Sequence, residues 1–196
     1  DKDTYDYMNP DDYMNNRLDS LSKFYENKYN THEFNVSLRT IREKYQYNIG
    51  FSVQPQQSTT SYEQGTIKVD TTRNVVNFSP TFDYRYRFNK QSMLRINYRG
   101  RTSQPSMTDL LPITDTSDPL NISKGNPSLK PSYTNSFMLF YNTFLPEKQQ
   151  SMMARLTFSN TINSVSNTVT YDEETGARIT QPKNINGNWS ASGGFV

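Results

Sequence analysis

The stretch Val76-Asn77-Phe78-Ser79-Pro80-Thr81-Phe82-Asp83-Tyr84-Arg85-Tyr86-Arg87-Phe88 alternates from end to end. Val76, Phe78, Pro80, Phe82, Tyr84, Tyr86 and Phe88 fall on one side; Asn77, Ser79, Thr81, Asp83, Arg85 and Arg87 fall on the other. Successive side chains of a β-strand point to opposite faces, so this period of two describes a long strand with one greasy and one wet face.

The same split recurs on both sides of this stretch. Tyr45, Tyr47, Ile49, Phe51 and Val53 alternate with Gln46, Asn48, Gly50 and Ser52, and Leu94, Ile96 and Tyr98 with Arg95, Asn97 and Arg99. It is weaker in Phe34, Val36 and Leu38 against Glu33, Asn35, Ser37 and Arg39, and in Met152, Ala154, Leu156 and Phe158 against Arg155, Thr157 and Ser159. The pattern predicts strands over residues 17–28, 31–41, 45–53, 75–88, 92–102, 133–144, 151–161, 164–172, 177–184 and 187–196. Composition agrees. Leu, Ile, Val and Phe supply only 39 of the 196 residues and Ser, Thr and Asn supply 63, while Tyr, with 14 copies, carries much of the apolar load. Aromatic and β-hydroxy residues suit strands and Asn suits turns, so the mixture favours an all-β chain over a helical one.

The net charge of +2 and the absence of a basic run give no footing for nucleic acid. The interleaved Tyr84-Arg85-Tyr86-Arg87 does not restore one, because rings and guanidinium groups lie on opposite faces. Cysteine is absent and His32 is the only histidine, which excludes a His/Cys metal cluster and leaves little for a catalytic triad. Asp1, Asp3, Asp6, Asp11 and Asp12 lack calcium-loop spacing, and Glu173-Glu174 beside Gly176 reads as a hairpin tip. The expectation is a non-enzyme without cofactor or metal. No stretch approaches the ~20 apolar residues of a membrane-spanning helix, so only strands could carry this chain across a bilayer. The acidic opening is not a signal peptide, and the natural start is expected upstream.

Connections separate a barrel from a sandwich. Near 42–44, 89–91 and 145–150 the chain reverses at once, whereas 54–74 and 103–132 are long. Outer-membrane barrels alternate tight periplasmic turns with extended external loops in this way. Residues 1–16, 54–74 and 103–132 are therefore expected as extracellular loops. Tyr45, Tyr47, Tyr84, Tyr86, Phe88, Phe140, Tyr141 and Phe144 all neighbour short turns. They would form an aromatic girdle at one rim, where a ring meets hydrocarbon and a hydroxyl meets water. The fold expected is an antiparallel meander of about ten strands, residues 1–196 forming part of one transmembrane outer-membrane β-barrel domain.

Three segments then look familiar: Tyr98-Arg-Gly-Arg-Thr-Ser-Gln-Pro-Ser-Met-Thr-Asp-Leu-Leu-Pro112, Ser117-Asp-Pro-Leu120, and Gly125-Asn-Pro-Ser-Leu-Lys-Pro131. In this order they resemble the barrel of TonB-dependent receptor-like outer-membrane proteins, as do Phe78-Ser-Pro80 and the Asn184-Ile-Asn-Gly187 turn. The resemblance implies a barrel of about 22 strands with a plugged lumen, of which this chain would be a portion. It also implies a bacterial outer-membrane location, lipid contact, and a periplasmic TonB-type energy-coupling protein reached through a plug. Pro105, Gly125, Asn126, Pro127, Leu129 and Pro131 are the motif residues of the long loop. By the same resemblance Pro80 is expected at a bulge.

An arginine facing lipid near the bilayer midplane costs ~2–4 kcal/mol, so Arg85, Arg87, Arg95, Arg99 and Arg101, with Asn97, are expected to face the lumen. There they would guide an anionic solute or grip a plug's carboxylates; the plainer reading is lumen filler paired with Asp83 and Glu33. The proline-rich 103–132 loop either closes over a ligand or only packs the barrel mouth. Uptake of a scarce or bulky solute is the expected function. The alternatives are a soluble β-sandwich adhesion or carbohydrate-binding module, with Trp189 stacking on sugar, and a passive outer-membrane barrel.

Overall fold

The computed structural model describes residues 22–116 and 118–196. The expected loop 1–16, the start of the 17–28 strand, the aspartates at 1, 3, 6, 11 and 12, and Ser117 lie outside the described residues. Strands follow in the order β1 (Lys23–Thr31), β2 (Phe34–Ile41), β3 (Tyr45–Gln64), β4 (Ile67–Arg87), β5 (Ser92–Ser103), β6 (Thr114–Asp115), β7 (Asn121–Lys124), β8 (Ser132–Leu145), β9 (Gln150–Ile162), β10 (Ser164–Tyr171), β11 (Arg178–Ile185) and β12 (Asn188–Phe195). A single turn of helix, α1 (Met107–Leu110), and a 3-10 turn at Pro146–Lys148 interrupt them.

Register reduces the long strands to seven. β1 and β2 pair with β3 in one unbroken antiparallel register, Thr31 opposite Gln56 and Phe34 opposite Val53. The gap between them falls where Pro55 faces His32. The His32 amide donates to the Pro55 carbonyl at 3.0 Å, and proline has no amide to return the bond. β9 and β10 are likewise one strand, as are β11 and β12, because β9–β12 and β10–β11 share a register. This hairpin bends where Asn163 (φ 52°) and Gly187 (φ 88°) turn left-handed, and the Asn163 amide donates to Asn186 Oδ1 at 2.8 Å. The result is an antiparallel up-and-down wall, β1/β2–β3–β4–β5–β8–β9/β10–β11/β12. Among the described residues its two outer strands do not pair with each other, so the barrel is not closed within this chain.

The two faces are those the alternation required, except that Phe140 and Phe144 of the expected girdle turn to the polar face, Phe140 standing opposite Arg95 and Phe144 opposite Ser151. Tyr86, Tyr84 and Phe82 of β4 stand opposite Leu94, Ile96 and Tyr98 of β5, which stand opposite Tyr141, Leu139 and Phe137 of β8. Leu156 and Phe158 of β9 continue these rows. No second sheet covers them among the described residues: Phe34, Val36 and Leu38 keep 64%, 77% and 60% of their surface open. Rings at the short-turn rim touch in sequence, Tyr86 to Phe88 at 4.9 Å and Phe88 to Tyr141 at 6.2 Å between centroids. Tyr45 and Tyr47 stack at 6.5 Å beside them.

Residues 54–74 correct the sequence reading. They form no open loop; β3 and β4 stay paired from Tyr45–Tyr86 to Gln64–Ile67 and turn at Gly65 (φ 56°). Hydropathy alternation vanishes there because both faces are polar: Gln56, Ser58 and Thr60 on one side, Thr59, Ser61 and Glu63 on the other. Strand propensity of the Thr and Val residues persists without it. Pro80 needs no bulge either, since it sits opposite Phe51 in regular register. It shares the orientation of Phe78, whose amide and carbonyl both meet Thr102 Oγ1 of β5 at 3.2 and 3.1 Å. The donor that Pro80 lacks is thus aimed at β5, where the β4–β5 ladder has already ended at Thr81–Arg99.

Residues 103–132 are not a plain loop. β7 runs parallel to β11 and antiparallel to β6, building a small sheet at the end away from the short turns. The buried apolar residues, Tyr62, Met107, Leu110, Leu111, Leu129 and Ala177, all lie at this end. Met107, Leu110 and Leu129 cluster against Val165 of β10. Tyr62 packs on Tyr25 at 4.9 Å, and burial, then Tyr25 and Asp115, pushes its hydroxyl pKa up to about 12.

Candidate functional site

Arg85, Arg87, Arg95, Asn97, Arg99 and Arg101 all lie on the polar face of β4 and β5. Arg85 stands directly opposite Arg95, Asp83 opposite Asn97, and Thr81 opposite Arg99. Like charges opposed across a ladder repel, and Asp83 relieves the pair on one side only. Its Oδ2 accepts from Arg95 Nε at 2.8 Å and Nη2 at 2.6 Å, and from Asn97 at 3.3 Å. Arg85 Nε is buried with no hydrogen-bond partner among the described residues. Glu33, the other carboxylate on this face, accepts from Ser52 at 3.1 Å and forms no ion pair among the described residues.

An open trough of about 580 Å³ runs along this face, and Arg39, Arg85, Asp83, Arg95 and Arg99 share its walls. A second of about 410 Å³ continues it past Arg99, Arg101 and Glu33. Arg87 lies lower, in a cleft by the short turn with Arg42 and Lys44. Sequence reasoning placed Arg39 on the wet side of its strand but did not join it to the group. The signal was present in the alternation; what was missing was the register that sets β2 beside β3 and β3 beside β4.

The motif residues shape the loop instead of lining the trough. Pro105 is buried at the entry to α1, and Ser106 Oγ caps the helix by accepting from the Asp109 amide at 3.0 Å. A Cβ on Gly125 would strike the Leu111 carbonyl oxygen. Asn126 Oδ1 accepts from the Ser128 amide at 3.0 Å, turning the chain at Pro127, and its Nδ2 donates to the Pro182 carbonyl at 2.9 Å. Leu129 is buried in the cluster, while Pro131 leads into β8. Asn184 binds Lys130 in both directions, accepting from its amide at 2.8 Å and donating to its carbonyl at 2.9 Å. From the polar face Arg73 Nη2 donates to the Leu129 carbonyl at 3.2 Å, and Lys23 pairs with Asp115. The loop is therefore a shelf fastened inward over the polar face, with the β10–β11 hairpin as its clasp.

Turn carboxylates stiffen the same end. Asp118 accepts from Asn121 Nδ2 and the Leu120 amide, which holds its pKa below the usual carboxylate range. The Thr175 amide and hydroxyl, then the Glu174 amide, do so for Asp172.

An up-and-down antiparallel wall with an open aromatic face, a ring-lined short-turn rim and an arginine-bearing opposite face is the wall of a transmembrane β-barrel. Residues 2–196 match the model of the outer membrane protein beta-barrel family, and the chain belongs to that family. It resides in the bacterial outer membrane. The wall is similar to the Serratia marcescens hemophore receptor HasR, solved as a double mutant with its hemophore HasA and heme. The TM-score is 0.50 at 12% identity, over 88% of this chain and 38% of that one. It is also similar to the siderophore receptor PirA from Pseudomonas aeruginosa (TM-score 0.49, 12% identity, 91% of this chain and 40% of that one). At such identity the likeness speaks to fold alone, and the chain spans about two fifths of the length of either structure. No curated protein sequence matches it.

Proposed function

We propose that this chain is part of the wall of a non-catalytic receptor that takes a scarce or bulky solute across the outer membrane, driven from the periplasm through a TonB-type partner acting on a plug. The observation that carries the reading is the shelf. Residues 104–116 and 118–131 are fastened inward over the polar face by Asn184, Asn126 and Arg73, which narrows the mouth. A narrowed mouth suits selective capture followed by an energised release. Among known proteins of similar fold, HasR is described as a hemophore receptor, which agrees with capture from outside.

The test uses the full-length protein in cells. Medium solutes are compared by mass spectrometry after growth with and without the protein, and again after removal of the energy-coupling protein. Selective depletion that disappears with the coupling protein is expected. Depletion that persists without it would make the protein a passive barrel.

A further inference from the structure

We infer that the trough between β2 and β5 binds a soluble oxyanion, a solute presenting a carboxylate or phosphate, held chiefly by Arg39, Arg85 and Arg95. The inference rests on the uptake reading and names its substrate class.

Four guanidinium groups, Arg39, Arg85, Arg95 and Arg99, meet in this trough, and Asp83 is its only carboxylate among the described residues. Asp83 is already engaged by Arg95 and Asn97 through one oxygen. Arg85 faces Arg95 across the ladder, and its buried Nε donor has no acceptor among the described residues. In a half-open trough such repulsion is only partly screened, and a buried donor left unmade is costly. An oxyanion answers both demands, because two of its oxygens accept parallel bonds from a guanidinium fork and its charge offsets the repulsion. Acetate-sized groups are not the limit: about 580 Å³ of open trough admits a solute bearing several such groups. Glu33 does not compete for the site, being tied to Ser52 one trough away.

The experiment uses full-length protein in detergent, with citrate and pyrophosphate as probes against chloride at matched ionic strength, read by calorimetric binding and thermal unfolding. At least one probe is expected to bind and raise Tm where chloride does not. Arg39→Gln and Arg85→Gln should each weaken that binding roughly tenfold or more, the cost of a lost charged hydrogen bond. Arg155→Gln, on the same face but outside the trough, should leave it unchanged. Should Arg85→Gln fail to assemble, Arg85→Lys keeps the charge but loses the fork and should still bind more weakly. Binding that ignores Arg39 and Arg85 overturns the proposal. So does the absence of binding by either probe, and if Arg85→Gln then lowers Tm by itself, a carboxylate of the protein fills the trough. Since no energy source enters this assay, a passive barrel could still bind, and an energised receptor could still fail to bind. The two readings fall separately.

Discussion

Gly125 has no room for a side chain, because the first carbon would meet the Leu111 carbonyl oxygen and lie 3.3 Å from that of Asp109. Gly125→Ala should destabilise the shelf by about 1–3 kcal/mol, the usual penalty of overpacking. Limited proteolysis of the full-length protein is expected to cut within 104–131 while the barrel keeps its heat-modifiable migration. Asp83 is constrained by charge instead. Asp83→Asn leaves Arg85 and Arg95 opposed without a counter-ion, at a cost of about 1 kcal/mol, kept small because the pair is partly open to water. Arg95→Gln added to it should recover most of the loss in urea unfolding. The faces of these residues were legible in the sequence, since alternation assigns Asp83 and Arg85 to the wet side without coordinates. Their partners were not. Glu33 looked as good a counter-ion as Asp83, and only register shows that one meets Arg95 and the other Ser52.

The strand formed by β1 and β2 loses one ladder bond at Pro55, whose carbonyl accepts from His32 while its nitrogen has nothing to donate. Pro55→Val should close this gap and stabilise the edge by about 1 kcal/mol, seen as slower amide exchange at residues 31–34. The hairpin tip between β10 and β11 responds to pH. The folded-state pKa of Asp172 lies below its ordinary value, so the stabilisation is fully present above the unfolded value near ~3.9 and is lost as pH falls through the folded one. Amide exchange at Thr175 should accelerate across that acid window, and Asp172→Asn should flatten the response. Strands whose faces meet different solvents were legible along the chain: 75–88 and 92–102 correspond closely to the lower part of β4 and to β5. The upper half of the β3–β4 hairpin was not, because beyond the bilayer both faces meet water and the period-two signal disappears while the pairing continues.

The described residues put nearly all of their conventional buried core at the mouth and almost none in the wall. That division makes sense only if hydrocarbon covers the aromatic face, since open Phe34, Val36 and Leu38 could not persist in water as one continuous sheet. The family match and the wall topology agree with it. The sandwich alternative fails because it needs a second sheet on that face. Composition concealed this arrangement, since a mean hydropathy of −0.87 averages a thin lipid belt with a polar lumen and a wet canopy. The decisive measurement is a spin-label scan of β8, one cysteine at a time from residues 134–141, in full-length protein reconstituted into vesicles. Labels at 137, 139 and 141 should collide with oxygen dissolved in lipid, and those at 136, 138 and 140 should not. Uniform collision along the strand, or collision at the even positions alone, would contradict a wall with lipid on its aromatic side and an enclosed lumen on the other.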